Sequence, residues 1–139
     1  MMVEVPAAAL KTSSFAPYVD FFSIGTNDLT QYALAAERGN QQVAALGDPY
    51  DPGVLALIRA VCVGAANGPR VAVCGELAGD AGAAGLLVGL GVGELSVAPP
   101  AIASVKGAIR EIDSHHAEDL AATALSMPTA AAVRRLLAT

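Results

Sequence analysis

Four short apolar runs recur along the chain, each followed by sequence that favours helix, and this alternation narrows the possible folds more than any other feature. The runs occupy residues 1–5, 19–24, 70–74 and 94–98. They are mostly apolar rather than strictly alternating, the mark of strands in a parallel sheet covered by helices. Alanine-rich sequence at 6–15 and a short apolar stretch at 29–37 predict the first two helices. The clearest helix begins at Pro52, because a missing amide proton is harmless in a first turn. Val54, Leu57, Ile58, Val61 and Cys62 then recur at helical spacing until Gly68-Pro69 ends the segment. Residues 80–90 predict a helix weakened by Gly82, Gly85 and Gly89. Pro99 or Pro100 opens another, with Ile102, Val105, Ile109 and Ile112 apolar. Residues 115–139 form a helical tail in two pieces, broken around Met127-Pro128-Thr129. The expected fold class is therefore α/β, with one domain over residues 1–139.

Composition excludes several functions. Apolar residues make up 54% of the 139 and charged residues 15%, against about 25% charged in a typical soluble domain. Such a chain buries an unusual share of its surface or belongs to something larger. Lys and Arg total 8, without a cluster, and the net charge is −5, which argues against a nucleic-acid surface. Arg134-Arg135 reads as a solvated helix face. No run of 18 apolar residues is present, so no membrane span is expected, nor is there a basic region ahead of an apolar run to suggest a signal peptide. Two cysteines, Cys62 and Cys74, do not make a disulfide framework; Cys62 reads as a core filler, and both suit a reducing, cytoplasmic setting.

Polar groups gather where the predicted strands end. Glu4 follows the first run, Asn27 and Asp28 the second, Cys74 and Glu76 the third, and Ser96 lies near the end of the fourth. Active sites of (β/α) barrels and open α/β sheets form at that edge. Glu4 and Asp28 are candidate hard oxygen ligands for Mg²⁺, which takes one or two carboxylates plus phosphate and water; Asp28 equally suits a helix cap. Gly25-Thr26-Asn27-Asp28 suits a strand-to-helix turn whose amides face an anion, or a turn of no further role. A strand-end thiol at Cys74 suits an acid or a nucleophile, or a buried cysteine beside a turn. Arg38 suits phosphate or carboxylate, or a plain surface position. Gly89-x-Gly91-x-Gly93 precedes a strand instead of following one, so it reads as a tight turn and not a dinucleotide site. His115-His116 reads as a solvated turn.

Three segments carry a resemblance to a known family: Met2-Val3-Glu4-Val5-Pro6, residues 20–31 (DFFSIGTNDLTQ) and residues 73–80 (VCGELAGD). The chain resembles the C-terminal part of phosphoenolpyruvate-protein phosphotransferase, enzyme I of the bacterial sugar phosphotransferase system. Glu37-Arg38-Gly39-Asn40, Leu46, Asp48-Pro49 and Leu77-Ala78-Gly79-Asp80 are similar to enzyme I more than to its relative pyruvate phosphate dikinase. The resemblance implies the C-terminal half of a (β/α)₈ TIM-type barrel, strands five to eight, with 115–139 as tail. It implies Glu4 and Asp28 as Mg²⁺ ligands, Asn27 and Arg38 as phosphoenolpyruvate contacts, Asp28 also beside the substrate, and Cys74 as the acid that protonates the enolate carbon when pyruvate forms. It further implies a homodimer, an upstream barrel half, an N-terminal domain with the phosphorylated histidine, and a small phosphocarrier protein. The first four strands and their substrate arginines are not among these residues, so catalysis is expected to need the longer polypeptide. The alternative is a non-catalytic half-barrel module acting in dimerisation or regulation.

Overall fold

The computed structural model describes residues 1–66 and 68–138. Four strands, β1 (Met2–Val3), β2 (Phe21–Gly25), β3 (Arg70–Cys74) and β4 (Glu94–Leu95), form one sheet in the order of the chain, and all pair in parallel. The register sets Val3 beside Ile24, Gly25 beside Cys74 and Val73 beside Leu95. Helices fill the connections: α1 (Pro6–Leu10), α2 (Thr12–Phe15), α3 (Thr26–Leu34), α4 (Pro52–Gly64), α5 (Glu76–Gly79) and α6 (Ala84–Gly89). Beyond the sheet run α7 (Ile102–Arg110), α8 (Ser114–Ser126) and α9 (Ala130–Leu137). This is an α/β fold with a parallel four-stranded sheet, and its strand order is consistent with part of a (β/α) barrel wall.

Side chains alternate across each strand. One face of the sheet carries Val3, Phe22, Ile24, Val71 and Val73, all buried against Leu55, Ile58, Val61, Leu86, Leu87 and Leu90 of the helices. Each such side chain contributes about 1.5–3 kcal/mol by leaving water. The other face carries Glu4, Ser23 and Cys74, only half-buried, together with Met2 at 47% and Phe21 at 54% exposure. The expectation of a sheet covered by helices therefore holds for one face of these strands.

Local chemistry explains the helix limits. Pro52 opens α4 as expected, and the Asp51 carboxylate caps it by accepting from the Gly53 amide at 2.8 Å. Asp113 caps α8 through the His116 amide, leaving His115 and His116 exposed in its first turn. Thr129 caps α9 after the predicted break. The second predicted helix is corrected: it starts at Thr26 and stops at Leu34, because Ala35 turns left-handed (φ 51°) and redirects the chain. Residues 80–90 divide into a 3-10 turn and α6, with Asp80 capping the turn through Gly82. No helix among the described residues is long and apolar enough to cross a membrane.

Candidate active site

Parallel strands put their carboxyl ends on one edge, and α3 and α5 start there. Cys74, the last residue of β3, is half-buried. Its thiol donates to the Ile24 carbonyl at 3.4 Å, while the Ser23 hydroxyl donates to its sulfur at 3.5 Å. Two contacts from β2 thus fix the thiol's position. Cys62, by contrast, packs against the core, where burial outweighs the nearby Arg59 charge and pushes its thiol up to about 11. Its place against the core matches its reading as a core filler.

Two side chains from the first turn of α3 tie β2 to β3. Thr26, fully buried, donates its hydroxyl to the Cys74 carbonyl at 2.8 Å. Asn27 accepts from the Glu76 amide at 3.3 Å through Oδ1, which leaves its NH₂ group as a donor with no partner among the described residues. Gly75 makes this approach feasible. Its φ is 95°, and a Cβ there would lie 2.6 Å from Thr26 Oγ1 and 3.1 Å from Asn27 Oδ1. Gly75→Ala is expected to cost about 2 kcal/mol from backbone strain and crowding. Urea denaturation checks this; an unchanged midpoint refutes the tight approach.

Asp28 also sits in the first turn of α3, but it does not cap the helix. The cap position is Gly25, and the Asp28 carboxylate instead accepts from Gln31 Nε2 at 3.1 Å. Residues three apart share a helix face, so the side chain turns along the helix and not back to the amides. Gln31 Oε1 in turn accepts from the Arg38 amide at 3.0 Å, so one glutamine links Asp28 to the segment carrying Arg38.

A pocket of about 110 Å³ opens at this edge, bordered by Asn27, Thr30, Gln31, Arg38, Pro49 and Glu76. Asn27 and Arg38, two expected substrate contacts, therefore share one cavity. Thr30, one of the bordering residues, has a buried hydroxyl with no partner among the described residues. Asp28 lines an adjoining groove of about 270 Å³ with Gln31 as the common wall. Glu4 and Cys74 lie on the open face at this edge of the sheet, while Asp28 lines the adjoining groove. Ser23 and Gln31 received no role from the sequence, and Thr26 only a place in the strand-to-helix turn. The alternation of β2 was the available signal for Ser23, which shares a face with Gly25 and with Cys74 across the register.

Glu4 and Asp28 are the carboxylates at this edge that the sequence reading names as cation ligands. A Cβ at Gly25 would lie 2.7 Å from Glu4 Cγ and 2.8 Å from Glu4 Oε1, so the bare glycine lets this carboxylate lie over the end of β2, where α3 begins. Neither carboxylate has an ion-pair partner among the described residues, whose pairs are Arg70–Glu94 and Arg134–Asp48. The described residues contain no group of three or more His, Cys, Asp or Glu side chains placed to hold a metal. Two carboxylates suit an ion that draws its other ligands from phosphate and water.

The fold and this edge define an α/β protein with its polar groups collected at the carboxyl ends of parallel strands. The model of the family described as PEP-utilising enzyme, PEP-binding domain, matches residues 1–114, and the chain belongs to that family. It is 52% identical over 139 residues to a phosphoenolpyruvate-protein phosphotransferase of Haloferax volcanii, covering 99% of this chain and 24% of that protein. It is 46% identical over 138 residues to the protein of the same name from Haemophilus influenzae, again 99% of this chain and 24% of the relative. A multiphosphoryl transfer protein of Xanthomonas campestris is 50% identical over 137 residues, 98% of this chain and 16% of that protein. The chain spans about a quarter of the length of the first two relatives.

Proposed function

We propose that this chain is the substrate-binding part of a phosphoenolpyruvate-protein phosphotransferase, which moves the phosphoryl group of phosphoenolpyruvate to an enzyme histidine and releases pyruvate for sugar uptake. The observation that carries the reading is the meeting of Asn27 and Arg38 in one pocket, with Cys74 held at the adjoining strand end. Family membership and the relatives' names support it. The finer reading of the fold is strands five to eight of a (β/α)₈ barrel, completed by an upstream half that closes the open edge. In that setting the acceptor histidine lies on an N-terminal domain, a small phosphocarrier protein takes the group onward, and the enzyme works in the cytoplasm as a homodimer.

Each residue then has a chemical task. Arg38 neutralises the phosphate and Asn27 donates to it. Glu4 and Asp28 are the residues that hold Mg²⁺, which when bound offsets the negative charge of the phosphate and of the forming enolate. As the bridging P–O bond breaks, its electron pair passes to the enolate oxygen. The enolate's C–C double bond then takes the proton from the Cys74 thiol at the methylene carbon, giving the methyl group of pyruvate and a thiolate. The Ser23 hydroxyl, which donates to that sulfur, helps to hold it at the strand end. The thiolate recovers a proton from solvent before the next cycle.

Calorimetric titration of the 139-residue chain with phosphoenolpyruvate, with and without Mg²⁺, tests the reading. Binding that needs Mg²⁺ and weakens about 100-fold or more in Asp28→Ala is the expected result. A folded chain that binds nothing shows that the pocket requires the upstream half. A second reading, a module acting only in dimerisation, draws on the exposure of Met2 and Phe21 on the open sheet face. Concentration-dependent self-association with no response to phosphoenolpyruvate favours that one.

A further inference from the structure

We propose that Arg134 is a positioning residue, through which helix α9 fixes the loop that walls the Asn27–Arg38 pocket; this rests on reading that pocket as the anion site. Arg134 is not the freely solvated residue its sequence context suggests. Its guanidinium makes two parallel bonds to Asp48, Nε to Oδ2 at 2.8 Å and Nη2 to Oδ1 at 2.9 Å. It also lies over the Tyr50 ring, with 4.2 Å from Cζ to the ring centre.

The contact continues inward. Asp48 Oδ1 accepts from the Tyr50 amide at 3.0 Å, and the Tyr50 hydroxyl donates to Asp80 Oδ2 at 2.6 Å. Asp80 Oδ1 meanwhile caps the turn after α5 through Gly82. Three separated segments, the loop at 44–51, the turn at 80–83 and α9, are therefore joined by one chain of hydrogen bonds. Gly47 and Pro49, which flank Asp48, line the same pocket as Asn27 and Arg38. An isolated exposed ion pair holds little, but a two-bond Arg–carboxylate pair stacked on an aromatic ring and tied into a network is the arrangement that does. Burial pushes the Asp48 carboxyl up, yet the Arg134 bond, the Tyr50 amide and the Arg134 charge outweigh it and hold it below the usual carboxylate range. The Tyr50 phenol is pushed up by burial first and by Asp80 second, so it stays protonated as the donor. The family match ends at residue 114, so nothing in it assigns α9 a part in the site.

The test compares Arg134→Gln, which loses the charge and the two-bond fork, with Arg134→Lys, which keeps the charge, and with Arg135→Gln as an exposed neighbour. Two readouts are needed: amide hydrogen exchange on the 139-residue chain, and phosphoenolpyruvate titration in Mg²⁺. In Arg134→Gln the amides of Tyr50 and Asp51 are expected to exchange about 10-fold faster, with Leu55, Ile58 and Val61 of α4 unchanged. Phosphoenolpyruvate affinity is expected to fall about 5- to 10-fold, with Arg134→Lys intermediate and Arg135→Gln equal to the parent. Unchanged exchange at 50–51, equal acceleration throughout α4, or the same effect from Arg135→Gln overturns the proposal. So does faster loop exchange with full phosphoenolpyruvate affinity. If the parent takes no phosphoenolpyruvate while loop exchange still responds to Arg134→Gln alone, the clamp stands, and what fails is the reading of the pocket as an anion site within the 139-residue chain by itself.

Discussion

Replacing Cys74 with alanine is expected to slow proton delivery to the pyruvate carbon by about 10²–10⁴-fold while leaving phosphoenolpyruvate binding intact. The reverse proton transfer gives a direct measurement. With Mg²⁺ in deuterated water, the wild-type site in the longer polypeptide should exchange the methyl protons of pyruvate, read as loss of the methyl proton signal. Alanine keeps the Cβ at the strand end and removes the thiol, whose S–H donates to Ile24 at 3.4 Å. Methyl exchange that persists in the variant assigns the acid to another group. Loss of exchange together with loss of phosphoenolpyruvate affinity shows that Cys74 shapes the site and does not only act on the substrate. Ser23→Ala refines the result: it removes the hydroxyl that supports the sulfur at 3.5 Å and should lower exchange by a smaller factor, about 10-fold.

Gly89→Ala is expected to be the most damaging small substitution for stability. A Cβ at Gly89 would lie 1.9 Å from the Ala117 carbonyl oxygen and 2.5 Å from its carbon. Both atoms are main chain, so no side-chain rotation relieves the clash and α6 must part from α8. Ala117, Ala121 and Ala124, all buried on α8, lose their packing in the process. A cost of about 4 kcal/mol follows from overpacking against rigid backbone, or a fall of about 10 °C or more in the melting temperature for a chain of this size. Gly107→Ala is the control, because a Cβ there meets nothing within 4 Å in the middle of α7. It should leave stability unchanged or raise it slightly. Equal melting temperatures for the two variants contradict the close helix approach.

The local elements were legible because their causes are local. The apolar runs became β1 to β4, Pro52 opened α4, and the break at Met127-Pro128-Thr129 separates α8 from α9. The parallel arrangement followed from runs too apolar for a solvated face and from helical sequence between them. The ends of elements were less legible. Ala35 adopts a left-handed conformation that no proline or glycine announced. Asp28 turned to Gln31 although its sequence position suited a cap equally well.

Residue types and their places at strand ends were written in the chain itself: Glu4, Asn27, Asp28 and Cys74 fall at one edge of any parallel sheet built from these runs. Long motifs also made the family readable before any coordinates. Which side chains hold which depended on register and packing. That the Ser23 hydroxyl supports Cys74, that Thr26 and Asn27 stitch β2 to β3, and that Arg134 reaches Asp48 across 86 positions are non-local facts. Periodicity and propensity act over a few residues, whereas these contacts are set by the folded distance between segments far apart in the chain, and only the tertiary structure decides that distance.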